Sequence, residues 1–323
     1  MDKNFLILAH QSPQQLKRLI HRLDDHHSFF YLHIDLKSDL SAFESILSAP
    51  NIMFLKKRVN ALWGNYSLVE ATLNGINQII SDGKTGFVIL LSGQDYPLKG
   101  NDALTDYLQK HISYNFIDLK SIEDAWPREY VNKSKKYYVN VSHKKGDGLF
   151  ISYFRDISKK NLLKTSFRLF KNSIRHKNPA LLWHILKSFK ERIPPVPAQY
   201  GGSQWWALNM DTLVKIVEFL RLHSHYLNYH RFTYVPDEIF FHTVIKFLQD
   251  HDSEILIKPS LTYVNWQRHN HAYPAVFTLD DVEELFDARS NEKFFARKFE
   301  SDSCGPIQDL LDLSIDSTQT PIF

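Results

Sequence analysis

Cysteine is almost missing. One residue, Cys304, serves a chain of 323 amino acids, so no intramolecular disulfide can form and a reducing compartment is expected. Glycine is sparse, at 11 residues, and neither GxGxxG nor GxxxxGK followed by Ser or Thr occurs. The usual phosphate-cradling loops are therefore excluded. Long apolar runs are lacking too. The longest, Phe87 to Leu91, falls far short of the ~18 residues a membrane span needs. Met1-Asp-Lys-Asn-Phe leads straight into a strand-like run, with no signal-peptide pattern, so a cytoplasmic protein is expected. Metal-ligand patterns are thin. His26-His27 and His269-Asn-His271 lack a carboxylate or third His at useful spacing, and the one DxD, Asp250-His-Asp252, falls at a predicted helix end. No metal site is expected.

What is present is ordinary in amount and uneven in place. The hydrophobic fraction is 43% and the charged fraction 23%, which excludes disorder. At roughly 100–200 residues per domain, the length fits one large domain or two. The net charge of +3 conceals a basic middle: residues 131–192 hold 16 Lys and Arg against Asp147, Asp156 and Glu191. There, Leu162, Leu163, Phe167, Phe170 and Ile174 recur at helical spacing among Lys159, Lys160, Lys164, Arg168 and Lys171, and Leu181 to Phe189 repeats the style. Three readings stand: a helix on an anionic membrane surface, a site for an acidic polymer, or an ordinary surface helix with its apolar stripe in the core. No nucleic-acid partner is expected.

Strands and helices alternate along the first 120 residues. Asn4–Ala9, Phe29–Ile34, Ile52–Leu55, Phe87–Leu91 and Tyr114–Leu119 read as strands. Pro13–Leu23, Leu40–Leu47, Leu68–Ile80 and Ala103–Gln109 read as helices. After the cluster Pro194-Pro195-Val-Pro197, strands are predicted at Gln204–Leu208, Leu261–Trp266 and Ala275–Phe277. Helices are predicted at Asp211–Leu220, Pro236–Leu248, Asp280–Phe286 and Ile307–Leu313. Such alternation predicts a mostly parallel sheet with helices on both faces, and ligands beyond the carboxyl ends of its strands.

Several motifs fall at those ends. Asp35 closes a strand and either accepts bonds from a ribose or base or caps the helix near Leu40. Asp95, in Ser92-Gly-Gln-Asp95-Tyr-Pro97, either lines a site or closes an Asx-type turn before Pro97. Asp237 and Glu238 either complement a helix dipole in its first turn or supply a general base. Arg297 and Lys298, between Phe295 and Phe299, either bind phosphate oxygens or form a solvated basic pair. If both cations reach one diphosphate, residues 295–299 should be a turn or helix edge, because strand alternation would part them. Trp205, in Gly201-Gly-Ser-Gln-Trp205-Trp206, and Trp266, in Tyr263-Val-Asn-Trp266, either stack on sugar rings or belong to the core.

Together these segments carry a family resemblance. Tyr31-Leu-His-Ile-Asp35-Leu-Lys-Ser38, Trp63-Gly-Asn-Tyr-Ser-Leu-Val-Glu-Ala-Thr-Leu73 and Leu90-Leu-Ser-Gly-Gln-Asp95-Tyr-Pro-Leu-Lys99 are followed by Tyr200-Gly-Gly-Ser-Gln-Trp-Trp-Ala-Leu208, Pro236-Asp-Glu238-Ile-Phe-Phe-His-Thr243 and Phe295-Ala-Arg-Lys-Phe299. In this order they resemble the core-2/I-branching β-1,6-N-acetylglucosaminyltransferase family, which includes the peptide O-xylosyltransferases. Residues 131–192 are outside the resemblance. It implies a GT-A-type α/β fold and an inverting, metal-independent transferase using a UDP-sugar donor, with N-acetylglucosamine as the sugar and xylose or galactose as alternatives. A non-catalytic sugar-binding module on the same scaffold is the rival reading. The resemblance assigns Glu238 as general base, Arg297 and Lys298 to the pyrophosphate, Asp35 to the nucleotide pocket and Trp266 to the acceptor sugar; Asp95 and Trp205, which lie in its matching segments, are substrate-binding candidates on the residue reading above.

Where a family tyrosine would touch the acceptor, this chain has Arg268, which hints at an anionic acceptor. No arginine stands near Ala272–Ala275 to assist the pyrophosphate lysine. With one cysteine and no apolar anchor, the chain reads as a bacterial-type member, cytoplasmic or peripheral on the inner face of a membrane. The expected acceptor is a saccharide or lipid-linked saccharide, in surface polysaccharide or glycan synthesis. The expected organisation is a nucleotide-sugar half at 1–120, a basic helical insertion at 121–198 with an anionic membrane as partner through 159–192, and an acceptor-binding and catalytic half of the same domain at 199–323.

Overall fold

Alternation within the apolar runs builds the two faces of the central sheet. Phe5 and Ile7 point into one core, with Leu16, Leu19 and Ile20 of the helix Pro13–Leu23, whereas Leu6 points into the other, with Val69, Ile76 and Ile79 of the helix Ser67–Ser81. Phe87, Ile89 and Leu91 alternate with Val88 and Leu90 in the same way. A run apolar at every position is thus a strand covered on both sides. The computed structural model describes residues 1–142, 144–268, 274–300 and 304–319.

The strands are β1 (Lys3–Ala9), β2 (Ser28–Ile34), β3 (Ile52–Phe54), β4 (Phe87–Ser92), β5 (Asp95–Pro97), β6 (Tyr114–Phe116), β7 (Lys120–Ser121), β8 (Tyr137–Asn140), β9 (Gly148–Ile151), β10 (Tyr200–Gly201), β11 (Ala207–Asn209), β12 (Leu256–Lys258), β13 (Thr262–Val264) and β14 (Phe295–Arg297). Seven of them form one sheet in the order β12-β6-β11-β4-β1-β2-β3. Its pairs are parallel except at β11, which runs antiparallel to both β4 and β6. This is the mixed, mostly parallel α/β architecture that the alternation predicts. Among the described residues, no helix is long and apolar enough to cross a membrane.

A second sheet, β13-β14-β5, stands beyond the carboxyl end of β4. The ladder β7–β10 pairs Ser121 with Tyr200 and so brings together the chain on either side of the basic block. Between those strands lie the antiparallel hairpin β8–β9 and the helix Lys159–Arg175, joined through Val139, Val141, Leu149, Ile151 and Leu169.

Four sequence expectations are corrected. Residues 295–299 are not a turn or helix edge: Phe295–Arg297 is a strand paired on both sides, and only Lys298 lies beyond its end. Asp95–Pro97 is likewise a strand, because β14 supplies a partner that no local pattern reveals. Ala275–Phe277 is not a strand; Phe277 donates to the Lys298 carbonyl and Lys298 to the Ala275 carbonyl, with no ladder around them. The helix expected over Pro236–Leu248 breaks at Ile239 into a 3-10 turn, Pro236–Glu238, and an α-helix, Phe240–His251. The break has a cause: the Glu238 carbonyl accepts from Gly202 N, a partner outside the helix.

Candidate active site

The carboxyl ends of β1, β2 and β4 lead into His10, Asp35 and the Ser92–Asp95 turn, and the second sheet brings Arg297 against that edge. Arg297 is the cross-strand partner of Asp95. Its guanidinium pairs with Asp95 Oδ1 at 2.9 Å, donates to Ser92 Oγ, and lies 4.5 Å from the centroid of the Trp205 ring. Asp95 is fully buried and also accepts from Ser92 N at 2.7 Å. Burial pushes the Asp95 carboxyl up, and Arg297 and the Ser92 N–H pull it back. Asp95 and Trp205 therefore hold Arg297 from behind; Trp205 is only 5% exposed.

Lys298, one residue on, pairs with Glu300 at 2.8 Å. Lys145, from the hairpin between β8 and β9, stands 5.0 Å over the Trp63 ring. Burial lowers the Lys145 ammonium, and repulsion from Lys298 and Arg297 lowers it further. The same two cations and Lys37 act with burial to lower His10, against the opposing pull of Asp35. Lys145 thus comes from a distant part of the chain to the Arg297–Lys298 pair, whose acid partners are Asp95 and Glu300. Asp35 accepts from Lys37 N at 2.9 Å and from Ala61 N at 3.1 Å. It does not cap the helix near Leu40; Asp39 does, by accepting from Ser41 N.

Glu238 belongs to a second cluster. Its carboxylate keeps 23% of its side-chain surface exposed and pairs at 3.3 Å with Lys133, which is 1% exposed. Lys133 rests on the Trp126 ring at 4.0 Å and near Tyr234 at 5.5 Å. Burial raises Glu238 above its ordinary value, Lys133 opposes that, and Glu129 adds to it. Asp237 is turned inward, its Oδ1 without a hydrogen-bond partner among the described residues, and burial with the neighbouring Glu238 charge raises it as well. The Gly201-Gly202 pair permits this approach. A Cβ on Gly201 would lie 2.3 Å from the Trp126 ring and 2.8 Å from the Glu238 carbonyl, and one on Gly202 would lie 2.4 Å from the Asp118 carbonyl.

The two clusters are linked. Gly202 is bonded to Glu238, and three residues later Trp205 underlies Arg297; three residues of extended chain span at most about 11 Å. Aromatic rings join them as well: Tyr234 meets Trp63 edge-on at 6.0 Å, and Asn65 donates to Asn140 of β8 at 2.7 Å.

The sequence profile of the Core-2/I-Branching enzyme family matches residues 4–286. The chain belongs to that family. It is similar to xylosyltransferase 1 of Rattus norvegicus, 25% identical over 92% of this chain and 33% of the relative. It is similar to human xylosyltransferase 2, 26% identical over 98% of this chain and 34% of the relative. It is also similar to the xylosyltransferase oxt of Drosophila pseudoobscura pseudoobscura, 27% identical over 91% and 31%. The chain spans about a third of the length of these relatives.

In this Core-2/I-Branching member, Asp95 and Trp205 contact Arg297 directly, and Lys145, Trp63, Tyr234 and Lys133 form a chain of contacts from that cluster to Glu238. Trp266 is 42% exposed and follows Val264, the β13 partner of Arg297, by two residues. Arg268 is committed elsewhere: it pairs with Asp281 and donates to the Val276 carbonyl at 3.1 Å. The DxD is occupied by lysines, Asp250 by Lys246 and Asp252 by Lys215. Among the described residues, no group of three or more His, Cys, Asp or Glu could hold a metal ion. His269-Asn-His271 and Ala272 lie outside the described residues.

Lys133, Lys145, Trp63 and Tyr234 were not legible as site residues. For Lys145 a signal existed: Lys144-Lys-Gly-Asp-Gly148 is a turn sequence between Tyr137–Val141 and Leu149–Ile151, which marks a hairpin. For Lys133 there was none, since one buried lysine among 16 cations looks like its neighbours.

Proposed function

We propose that the chain transfers a sugar from a UDP-sugar to an acceptor hydroxyl by a single displacement on a GT-A-type scaffold. The reading is supported by a raised but partly open carboxylate at Glu238 and by the Arg297–Lys298 cations, which the short segment from Gly202 to Trp205 ties to the Glu238 backbone. As the acceptor oxygen bonds to C1, its proton passes to Glu238. The bond from C1 to the β-phosphate oxygen breaks, and its electron pair leaves with UDP. Attack opposite the leaving group inverts C1, so an α-linked donor gives a β-linked product. Arg297 and Lys298, joined by Lys145, meet the growing phosphate charge. Fixed cations in a partly dehydrated cleft do this far better than ions in water, and they supply what a divalent ion would otherwise supply.

Asp95 and Trp205 act through Arg297. Asp35 shapes the loop that receives the nucleotide, and Trp266 offers a flat face to the acceptor saccharide, free or lipid-linked. Arg268, neutralised by Asp281, braces the Trp266 loop, which removes the argument for an anionic acceptor. The donor sugar is N-acetylglucosamine on the family's branching activity. Xylose is the second reading, favoured by the names of relatives matched over nearly the whole chain.

UDP in EDTA should raise the melting midpoint by about 5 °C at saturation. Turnover with UDP-N-acetylglucosamine or UDP-xylose, read as UDP release with a saccharide extract, should survive the chelator. Full loss restored by Mn²⁺ would replace the cation mechanism with a metal one, and UDP binding without release from either donor would favour a sugar-binding module.

Lys133 predicts a pH effect of definite sign. Activity needs Glu238 ionised, burial raises its pKa, and Lys133 holds it down. Lys133→Met removes that restraint, so the acid limb of the kcat/KM profile moves to higher pH. An unmoved limb would mean that Lys133 does not act on the base.

A further inference from the structure

The helix Lys159–Arg175 contacts the rest of the molecule with the wrong side for its composition. Leu169 is buried against the hairpin, and Ser173, one turn on, is buried as well. At ~100° per residue, Leu163, Phe167, Phe170 and Ile174 fall in one stripe on another face. They are 70%, 66%, 51% and 64% exposed. Lys160, Lys164, Arg168, Lys171 and Arg175 form the stripe beside it. The following turns add Trp183 at 72%, with Leu186, Phe189 and Ile193 also exposed. Eight of the 19 large apolar side chains left exposed among the described residues therefore fall within residues 163–193. The reading in which the apolar stripe enters the core is thus overturned: from these helical turns, the cluster on the hairpin takes only Leu169 and Leu181 as fully buried anchors.

Charge selects the occupant. From Ser158 to Lys190 the chain has nine Lys and Arg and no Asp or Glu. A second copy meeting this face with its own would oppose one positive field with another. An acidic polymer would satisfy the lysines and leave the aromatics in water. An anionic bilayer surface satisfies both, taking the apolar stripe at the headgroup boundary and the cations at the phosphates. We propose that residues 159–193 dock this protein on an anionic lipid surface, with Phe167, Phe170 and Trp183 entering the interface and the adjacent lysines and arginines on the lipid phosphates. This proposal is independent of sugar transfer. It concerns a face whose helix is carried on the same hairpin as Lys145, so docking would present the cleft close to the bilayer.

The test is cosedimentation of the full chain with vesicles of phosphatidylglycerol and phosphatidylcholine in equal parts, and with phosphatidylcholine alone. The wild type should pellet with the anionic vesicles and stay in solution with the zwitterionic ones. Its tryptophan emission should shift blue on binding, and Trp183→Phe should lose most of that shift. Phe167→Ser with Phe170→Ser, and separately Lys164→Glu with Lys171→Glu, should each weaken partitioning at least about tenfold. These side chains are exposed, so the melting midpoint and the response to UDP should not change. Failure of the wild type to pellet, equal binding to both vesicles, or charge reversal without effect would each overturn the proposal. So would a concentration-dependent dimer, without vesicle binding, that the serine variant abolishes.

Discussion

Glu238→Gln should bind UDP as the wild type does and lose at least about a hundredfold in transfer rate, the lower end of what a positioned base contributes. The substitution keeps the shape of the side chain and an oxygen for Lys133, 3.3 Å away in the native protein. It removes the only feature that matters for proton transfer, a lone pair basic enough to accept one. Asp237 is the control, since it is adjacent in sequence and its carboxyl is also raised. Yet Asp237 is 8% exposed and faces inward, whereas Glu238 retains an open edge. Asp237→Asn should therefore leave most of the turnover. Midpoint shifts with UDP and rates of UDP release, measured on both variants, decide the matter; near-normal turnover of Glu238→Gln would remove that residue from the role.

Arg297→Met is the second large effect, and it acts on stability and rate together. Without the guanidinium, Asp95 is left fully buried with only Ser92 for company. Breaking a buried pair from one side costs about 3–5 kcal/mol. Burial already raises the Asp95 carboxyl, so loss of Arg297 drives it to take up a proton rather than stay charged. Transfer should fall by ~10²–10³-fold, the scale for removing one preorganised group that stabilises transition-state charge. Adding Asp95→Asn should restore much of the stability, because no lone buried charge remains, and none of the rate. Denaturant midpoints and turnover of the single and double variants separate the two. Recovery of rate in the double variant would show that Arg297 serves only to neutralise Asp95.

Much of the scaffold was open to reading. The helix Pro13–Leu23 appears with the expected ends, and β1, β2 and β4 match their apolar runs within a residue or so. These elements are long, and their pattern is set by cores on one or both sides. Strands of two to four residues were another matter. Asp95–Pro97 and the β7–β10 ladder exist because a distant segment supplies hydrogen-bond partners, and a three-residue window holds no periodicity to betray that. The antiparallel direction of β11 was hidden for the same reason, since Ala207–Asn209 reads alike in either direction.

The chain's order of residues alone determined an α/β sheet with one carboxylate, Asp35, at the end of a strand and another, Asp95, just past a second, followed far along the chain by a Pro-Asp-Glu segment and an Arg-Lys pair. It also determined that positive charge gathers between 131 and 192. Only the folded molecule decided how that charge is divided. Lys133 is buried against Glu238, Lys145 comes to the Arg297–Lys298 cluster, and Arg192 is buried among the Lys133, Ser134 and Tyr229 carbonyls. The helix Lys159–Arg175 is left facing water. The reason is that a charge acts through distance and desolvation, and neither is a function of separation along the chain. Sixteen cations that look alike in one dimension become a carboxylate's partner, a neighbour of the Arg297–Lys298 pair, a clamp on carbonyls and an exposed basic face once the sheet and hairpin set their depths.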